Sequence, residues 1–184
     1  MQGPDGTIIY EYDANGNLIK LIDSDKKVTT FEYNLDNRLV KKIYADNKFI
    51  KYDYDKAGLL TTVTSVRNVS KTYTYDANHN TETINYSDTT PDVTFTYHDF
   101  SNLIKTRTDG IGLYQYEYNA NNRLRFIYGP WENDTIEFRY NELGQLTDLI
   151  PQTGQAIHYI YDSIGRLTNI QAGANTLTYG YSGV

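Results

Sequence analysis

Hydrophobic and polar residues follow one short pattern that recurs along the chain. The pattern is an aromatic residue, a variable residue and Tyr, then Asp or Asn, a turn-tolerant residue three positions later, and Leu; its first copy spans Tyr10 to Leu18. The second aromatic of the copies falls, at spacings of 20 to 22 residues, at Tyr12, Tyr33, Tyr54, Tyr75, Tyr97, Tyr118, Tyr140, Tyr161 and Tyr181. A fixed period of this size indicates a repeat architecture.

Each copy predicts one β-hairpin. Thr7–Tyr12 is rich in β-branched and aromatic residues, as strands prefer, and Asn17–Ile22 reads as the second strand. Between them, Asp13 can accept backbone hydrogen bonds, and Gly16 suits the left-handed residue that closes such a loop. The left-handed position is predicted at Gly16, Asn37, Gly58, His79, Ser101, Asn122, Gly144 and Gly165. We expect less regular turns at His79 and Ser101, because neither residue tolerates positive φ as Gly and Asn do.

The fold class predicted from this pattern is all-β: tandem hairpins of about 21 residues forming one long antiparallel sheet. No helical periodicity of useful length is present. A sheet of more than ~10 strands usually curls, so we expect this one to curl. The two rings of each aromatic-x-Tyr pair share a face, and we expect them to stack across strands as aromatic ladders. Apolar residues of the second strand reach both faces, since Ile22 lies four residues after its motif Leu but Val63 three after its own.

The domain organisation predicted is a single array over residues 1–184, with eight full repeats and a partial ninth. Neither end carries the atypical capping sequence that terminal repeats usually have, which favours a fragment of a longer protein. Two edge strands, near Thr7–Tyr12 and Leu177–Tyr181, are left to pair with other chains. We therefore expect edge-to-edge self-association.

Composition excludes several classes of function. The net charge of −6 argues against a nucleic-acid-binding surface, which normally carries a basic patch. The chain has no Cys, so it has neither disulfides nor Cys-based metal sites. No apolar run approaches the ~18 residues of a membrane helix, and no signal peptide is recognisable.

Candidate catalytic and metal-binding residues are few. The histidines His79, His98 and His158 have no Ser or carboxylate beside them at a recurring spacing. The carboxylate at the head of a turn, as in Asp13, is replaced in other copies by Asn, which favours turn capping over acid–base chemistry. A calcium loop at Asp13 lacks the bidentate Glu at its end. The sequence thus predicts no catalytic residue, no metal and no cofactor. Trp131, the sole Trp, is interpreted as a plug packed over the sheet, with an exposed contact point as the alternative.

The segment Tyr161-Asp162-Ser163-Ile164-Gly165-Arg166-Leu167, with Tyr159 two positions earlier, resembles the YD repeat of the Rhs family. The segments Tyr54–Leu60 and Tyr12–Leu18 are nearly as similar, and the resemblance covers almost the whole chain. The family includes bacterial Rhs and wall-associated polymorphic toxins, the cocoon components of Tc toxins, and teneurins. The resemblance implies a sheet wound into a hollow shell that, in the toxins, encloses a cytotoxic polypeptide. The autoproteolytic segment of the family is not found here, so self-cleavage is not expected.

Two functions remain open at this stage. One is a non-catalytic scaffold, a segment of a shell that encloses or presents a toxin polypeptide in a secreted or surface bacterial protein; its partners would be that cargo or further repeats. The alternative is a binding module whose tyrosine rows recognise cell-wall or host glycans. The residues expected to build the repeat are Tyr10, Tyr12, Asp13, Gly16, Leu18, Tyr33, Tyr54, Asp55, Gly58, Leu60, Tyr75, Tyr97, Tyr118, Tyr140, Gly144, Tyr161, Asp162, Gly165 and Leu167.

Overall fold

Seventeen β-strands make up the fold in the computed structural model, which describes residues 7–181. The chain divides into unit 1, Met1–Asp92, and unit 2, Val93–Val184. The strands of unit 1 are β1 (Ile9–Tyr12), β2 (Leu18–Ile22), β3 (Val28–Tyr33), β4 (Leu39–Ile43), β5 (Phe49–Tyr54), β6 (Leu60–Thr64), β7 (Ser70–Tyr75) and β8 (Thr81–Tyr86). The strands of unit 2 are β9 (Val93–Tyr97), β10 (Ile104–Thr108), β11 (Leu113–Tyr118), β12 (Leu124–Tyr128), β13 (Thr135–Tyr140), β14 (Leu146–Pro151), β15 (Ile157–Tyr161), β16 (Leu167–Ala172) and β17 (Asn175–Thr178).

Within each unit, every strand pairs antiparallel with the strand before it and the strand after it in the chain. The ladder runs from β1 to β8 in unit 1 and from β9 to β17 in unit 2. Residues 7–181 contain no helix, and therefore none long and apolar enough to cross a membrane. The predicted all-β fold of tandem antiparallel hairpins is confirmed.

A bulge precedes the turn in each motif hairpin. In the first hairpin Glu11 pairs with Lys20, but the next residue, Tyr12, pairs with Leu18, so one residue of β2 is left over. The same register shift recurs in the hairpins that start at β3, β5, β7, β9, β11, β13 and β15. The bulge therefore belongs to the repeat itself and fixes the second Tyr opposite the residue that opens the next strand.

The turn after the second Tyr, here called the motif turn, has one hydrogen-bond pattern. Its head residue donates a backbone N–H to the carbonyl of the fifth residue, and the N–H of the fourth residue donates back to the head carbonyl, as in Asp13 to Asn17 at 2.9 Å and Gly16 to Asp13 at 3.1 Å. The fourth residue has positive φ at Gly16, Asn37, Gly58, His79, Asn122, Gly144 and Gly165. His79, at φ 65°, thus occupies a regular turn, contrary to expectation.

The turn after Tyr97 is the exception, and the prediction of Ser101 as its left-handed residue is wrong. Phe100 has positive φ there, at 57°. The backbone N–H of His98 donates to the carbonyl of Leu103, the sixth residue of the turn, whereas the other motif turns use the fifth residue. The turn is one residue longer, so Ile104, not Leu103, pairs with Tyr97. Positive φ is unusual for a bulky residue, and the Phe100 side chain is fully exposed in this turn.

The same turn geometry also joins successive hairpins in unit 1. The return turns, which connect one hairpin to the next, begin at Asp23, Tyr44 and Ser65 and carry both backbone hydrogen bonds of the motif turns. Their left-handed residues are Lys26, Asn47 and Asn68. Unit 1 is therefore regular along both of its turn edges, although only one edge shows a clear motif in the sequence.

No residue in the described part of the chain is buried. All side chains from residue 7 to residue 181 are half-buried or exposed, and no hydrophobic core is present among them. A layer of antiparallel sheet normally packs one face against another element to remove apolar surface from water. Here the strand ladder, the turns and contacts between neighbouring repeats hold each unit together instead.

Candidate functional site

The second Tyr of the motif ties each hairpin to the one before it. The Tyr33 hydroxyl donates a hydrogen bond of 2.9 Å to the Leu18 carbonyl, and the bond recurs from Tyr54, Tyr75, Tyr140, Tyr161 and Tyr181 to the carbonyls of Leu39, Leu60, Leu124, Leu146 and Leu167. Tyr118 bonds the backbone of Ile104, the residue that replaces the motif Leu after the longer turn. The motif Tyr and Leu thus form one contact between repeats.

Partial burial of these tyrosines has an electrostatic effect. Burial raises the pKa of the Tyr54, Tyr75, Tyr118 and Tyr161 hydroxyls, with the neighbouring tyrosine of the same strand adding to the effect in each case. Tyrosine is already protonated at physiological pH, and the raised pKa extends the pH range over which Tyr54, Tyr75 and Tyr161 can donate to a Leu carbonyl.

The Asp or Asn at the head of the motif turn caps that turn. Asp13 Oδ1 accepts hydrogen bonds from the backbone N–H of Asn15 at 2.9 Å and of Asn17 at 2.8 Å, while Oδ2 accepts one from the Asn17 side chain at 2.9 Å. The same side-chain capping recurs at Asn34, Asp55, Asp76, Asn119, Asn141 and Asp162. The Asn17 side chain lowers the pKa of Asp13, and the Asn80 side chain that of Asp76. The oxygens that a calcium loop would need are therefore taken by N–H donors.

Neighbouring motif turns are also in contact at two places, where an Arg directly before the motif Leu reaches the turn of the next repeat. The Arg38 guanidinium lies over the Tyr54 ring, 5.9 Å from its centre, and a Cβ added to Gly58 would collide with that guanidinium. Arg123 relates to Tyr140 and Gly144 in the same way. Glycine suits these two turns through its positive φ, and it lets the guanidinium of the preceding repeat lie directly over the turn.

In each unit, one face of the sheet, called the aromatic face, carries the first aromatic of each motif, which stands opposite an aliphatic residue except where Phe31 faces Lys42 and Phe95 faces Arg107. The cross-strand pairs on it include Tyr10 with Leu21, Tyr52 with Val63, Tyr73 with Ile84, Tyr116 with Ile127, Phe138 with Leu149 and Tyr159 with Ile170. The predicted aromatic ladders are wrong. Equivalent rings of successive repeats are separated by the second strand of the hairpin, which places them about 10 Å apart, beyond direct stacking distance.

The opposite face, the polar face, carries charged and hydroxyl side chains in register. Its cross-strand pairs include Glu11 with Lys20, Glu32 with Lys41, Asp53 with Thr62, Thr74 with Thr83 and Arg139 with Asp148. Asp148 Oδ1 also lies 2.7 Å from His158 Nδ1 on the next strand. Although burial raises the pKa of Asp148, hydrogen bonds from Thr147 and His158 outweigh it and the pKa is lowered.

The remaining candidate residues take separate positions. His98 Nε2 lies 3.3 Å from the Tyr116 carbonyl and its ring packs edge-on against Tyr118, while His158 pairs with Asp148. The prediction that Trp131 packs over the sheet is wrong, since 64% of Trp131 is exposed in the loop before β13. Among residues 7–181, no three His, Asp or Glu side chains group as metal ligands would.

An open groove of about 740 Å³ lies along the return turns of unit 1. It is lined by Lys27, Tyr44, Asp46, Lys48, Ile50 and Val66 among others. Its aspartates are already engaged, since Asp46 pairs with Lys48 at 2.7 Å and Asp23 accepts backbone hydrogen bonds in its own turn. This groove could not be predicted from the sequence, because the return turns share no obvious motif.

Taken together, the hairpin unit, the Tyr-to-Leu contact and the capped motif turn define a structural β-repeat protein of the YD type. The sequence model described as Teneurin YD-shell matches residues 40–184, and the model described as RHS Repeat matches residues 12–48. The chain belongs to the teneurin YD-shell family, as its resemblance to the Rhs and YD repeats implied. A comparison with curated protein sequences finds no match.

Solved structures with a similar fold include TcdB2-TccC3 proteins and a Tc holotoxin pore. The chain is similar to one described as the crystal structure of TcdB2-TccC3-Cdc42, with a TM-score of 0.63, 13% identity and coverage of 92% of this chain. It is also similar to the Photorhabdus luminescens Tc holotoxin pore carrying the TccC3 mutation D651A, with a TM-score of 0.63, 14% identity and coverage of 96%. The chain spans only 12% and 13% of the length of these two chains.

Proposed function

We propose that this chain is a non-catalytic structural scaffold, a segment of a YD-repeat shell that encloses or presents a toxin polypeptide in a secreted or surface bacterial protein. The observation that carries the proposal is the uncovered aromatic face. Rows of Tyr, Phe, Ile, Leu and Val side chains lie in register on one side of each unit, and none of them is buried within residues 7–181.

An apolar face left in water favours a covering partner. Burying apolar surface contributes roughly 25 cal/mol per Å², and large exposed apolar patches usually mark interaction sites. A polypeptide lying along the inside of a shell would cover such a face without needing a pocket of defined shape. The similarity in fold to Tc toxin components supports this reading.

The edges of the sheet imply a second kind of partner. β1 and β17 each pair on one side only, and all of their residues are exposed. Further YD hairpins would continue the ladder at these edges, through backbone hydrogen bonds and the Tyr-to-Leu contact. In their absence the same edges would pair with a second copy of this chain.

The proposal is tested by retention of the purified protein on three resins: insoluble peptidoglycan, a panel of immobilised glycans, and a reduced and alkylated protein that stays unfolded. A shell segment should be retained by the unfolded polypeptide and washed from both carbohydrate resins. Retention on neither kind of resin would remove the support for a cargo-contacting face.

The glycan-binding alternative has its own signature in the same experiment. Retention on peptidoglycan or glycans that survives high salt and weakens in Tyr116→Ala would overturn the scaffold function, because stacking of a sugar on a tyrosine ring does not depend on charge. Tyr116 suits this purpose, since it lies on the aromatic face opposite Ile127 and its side chain takes no part in the Tyr-to-Leu contact.

A further inference from the structure

We propose that the aromatic face of unit 1 binds polypeptide segments that combine acidic and aromatic side chains, and that Lys42 and Lys71 are the residues that recognise the acidic groups. This inference rests on the proposed function and names the chemistry of the polypeptide that the shell segment contacts. The two lysines are the only charged residues at the paired strand positions of this face in unit 1.

Lys42 lies among apolar and aromatic groups. In the ladder it stands between Phe31 on β3 and Ile50 on β5. Its ammonium group is 4.8 Å from the centre of the Tyr44 ring and 5.7 Å from that of Phe31. Cation–π contact with the two rings holds the charge over the face. Within residues 7–181, Lys42 forms no ion pair.

Lys71 repeats the arrangement farther along the face. It stands between Val63 on β6 and Tyr86 on β8, and its ammonium group is 5.3 Å from the centre of the Tyr86 ring. Asp88 lines the same small hollow, but its carboxylate caps its own turn by accepting the Thr90 N–H at 3.0 Å. Like Lys42, Lys71 has no ion pair in the described part of the chain.

The charge on the two faces is distributed differently. None of the paired strand positions on the aromatic face of unit 1 is Asp or Glu, whereas Glu11, Glu32 and Asp53 all lie on the polar face. Lysines on the polar face have carboxylates of the chain itself beside them, as Lys51 has Asp53 at 2.7 Å. Lys41 on the polar face also forms no ion pair within residues 7–181, but it stands opposite Glu32, whereas the two lysines of the aromatic face stand opposite apolar or aromatic residues. An acidic partner would therefore meet cations with no carboxylate opposite them on the aromatic side, which is the electrostatic complementarity expected of a recognition surface.

The surroundings of the two lysines favour a polypeptide over an acidic glycan. Ile50, Val63 and Ile84 offer no hydrogen bonds to sugar hydroxyls, so a glycan lying on this face would lose hydration without compensation. Aromatic and aliphatic side chains of a polypeptide would instead bury apolar area against the same residues. Spaced carboxylates would meet Lys42 and Lys71.

The test measures binding of three soluble polymers to the whole protein by fluorescence anisotropy: a random copolymer of Glu and Tyr, a random copolymer of Lys and Tyr, and polygalacturonate. The double variant K42Q/K71Q is compared with K41Q/K51Q. Both variants lose two positive charges, and Lys41 is the sequence neighbour of Lys42 but lies on the polar face opposite Lys51 and Glu32. Each pair contains one half-buried and one exposed lysine, which makes the control closely matched.

We expect the Glu–Tyr copolymer to bind, the Lys–Tyr copolymer not to bind, and K42Q/K71Q to weaken binding about three- to tenfold while K41Q/K51Q changes it less than about twofold. Equal losses in the two double variants, or preference for the Lys–Tyr copolymer, would overturn the inference. Binding of polygalacturonate alone would also overturn it, in favour of a glycan surface. A further outcome is that the resin carrying unfolded polypeptide retains the protein while K42Q/K71Q leaves copolymer binding unchanged. In that case the scaffold function stands and this inference fails.

Discussion

At the scale of single residues, the head position of the motif turn requires a hydrogen-bond acceptor rather than a charge. Asp76 and Asn34 each accept backbone N–H groups from residues two and four positions later, with distances between 2.8 and 3.0 Å. The side-chain oxygens of Asn and Asp therefore accept the same two backbone hydrogen bonds at neutral pH. They differ only when the carboxylate is protonated.

Acid should destabilise the wild-type protein through these turns. The pKa values of Asp13, Asp76 and Asp162 lie below the ordinary value of 3.8, because hydrogen bonds from Asn17, Asn80 and Arg166 favour the charged form. A group whose pKa is lower in the folded state contributes stability above pH 3.8, and that contribution is lost as the pH falls through the lower folded value. Urea unfolding of D13N/D76N/D162N should therefore lose less stability than the wild type between pH 7 and about pH 2.5.

A second triple variant controls for the change of net charge. E82Q/E132Q/E142Q also removes three carboxylates, but these side chains accept no hydrogen bond within residues 7–181. Its acid dependence should follow that of the wild type. If both triple variants flatten the pH profile equally, general charge repulsion and not turn capping governs acid stability.

At the scale of elements, the hairpins are joined by the Tyr-to-Leu hydrogen bond. Removing the Tyr75 hydroxyl by Tyr75→Phe leaves the half-buried Leu60 carbonyl without its 2.7 Å donor. We expect the free energy of unfolding to fall by about 1 kcal/mol, the usual worth of such a bond. Tyr73→Phe is the matched control, because Tyr73 lies two residues earlier on the same face and its hydroxyl makes no hydrogen bond in the described part of the chain. Equal unfolding free energies for the two variants would contradict a joining role for the hydroxyl.

Much at this scale could be predicted from the sequence. The alternation of aromatic and β-branched residues located the strands, and Gly16 or Asn37 after an Asp or Asn located the turns. Such signals are local, so a single chain reveals them. The prediction that Ser101 is the left-handed residue failed because the turn after Tyr97 holds one extra residue. No local preference identifies Phe100 as the residue with positive φ.

What the sequence could not reveal depends on contacts between strands. The acceptor of the Tyr33 hydroxyl is a backbone carbonyl fifteen residues away, which carries no side-chain signature. The left-handed return turn at Lys26 is formed by a residue with no preference for that conformation. Strand alternation puts Lys41 and Lys42 on opposite faces, but only the pairing of Lys42 with Phe31 and of Lys41 with Glu32 shows which of them joins the aromatic face.

At the scale of the whole molecule, the free edges should control association. We expect light scattering to detect concentration-dependent self-association, because the exposed strands β1 and β17 each leave one row of backbone donors and acceptors unpaired. Placing a lysine on each edge with I9K/L177K should shift the onset to higher concentration. L143K is the control, since Leu143 is 77% exposed in a motif turn rather than on an edge strand. A strictly monomeric wild type at crystallisation concentrations would refute the prediction.

The hydroxyl bonds between hairpins all point the same way. In the six Tyr-to-Leu bonds, the acceptor Leu lies fourteen to sixteen residues earlier in the chain than the donor Tyr. During synthesis on a ribosome, the acceptor of every new hairpin has therefore already emerged when its donor appears. Each repeat can dock on a finished template in the order of translation, and no repeat has to wait for residues still to be made. This order of donors and acceptors is compatible with folding one hairpin at a time during translation.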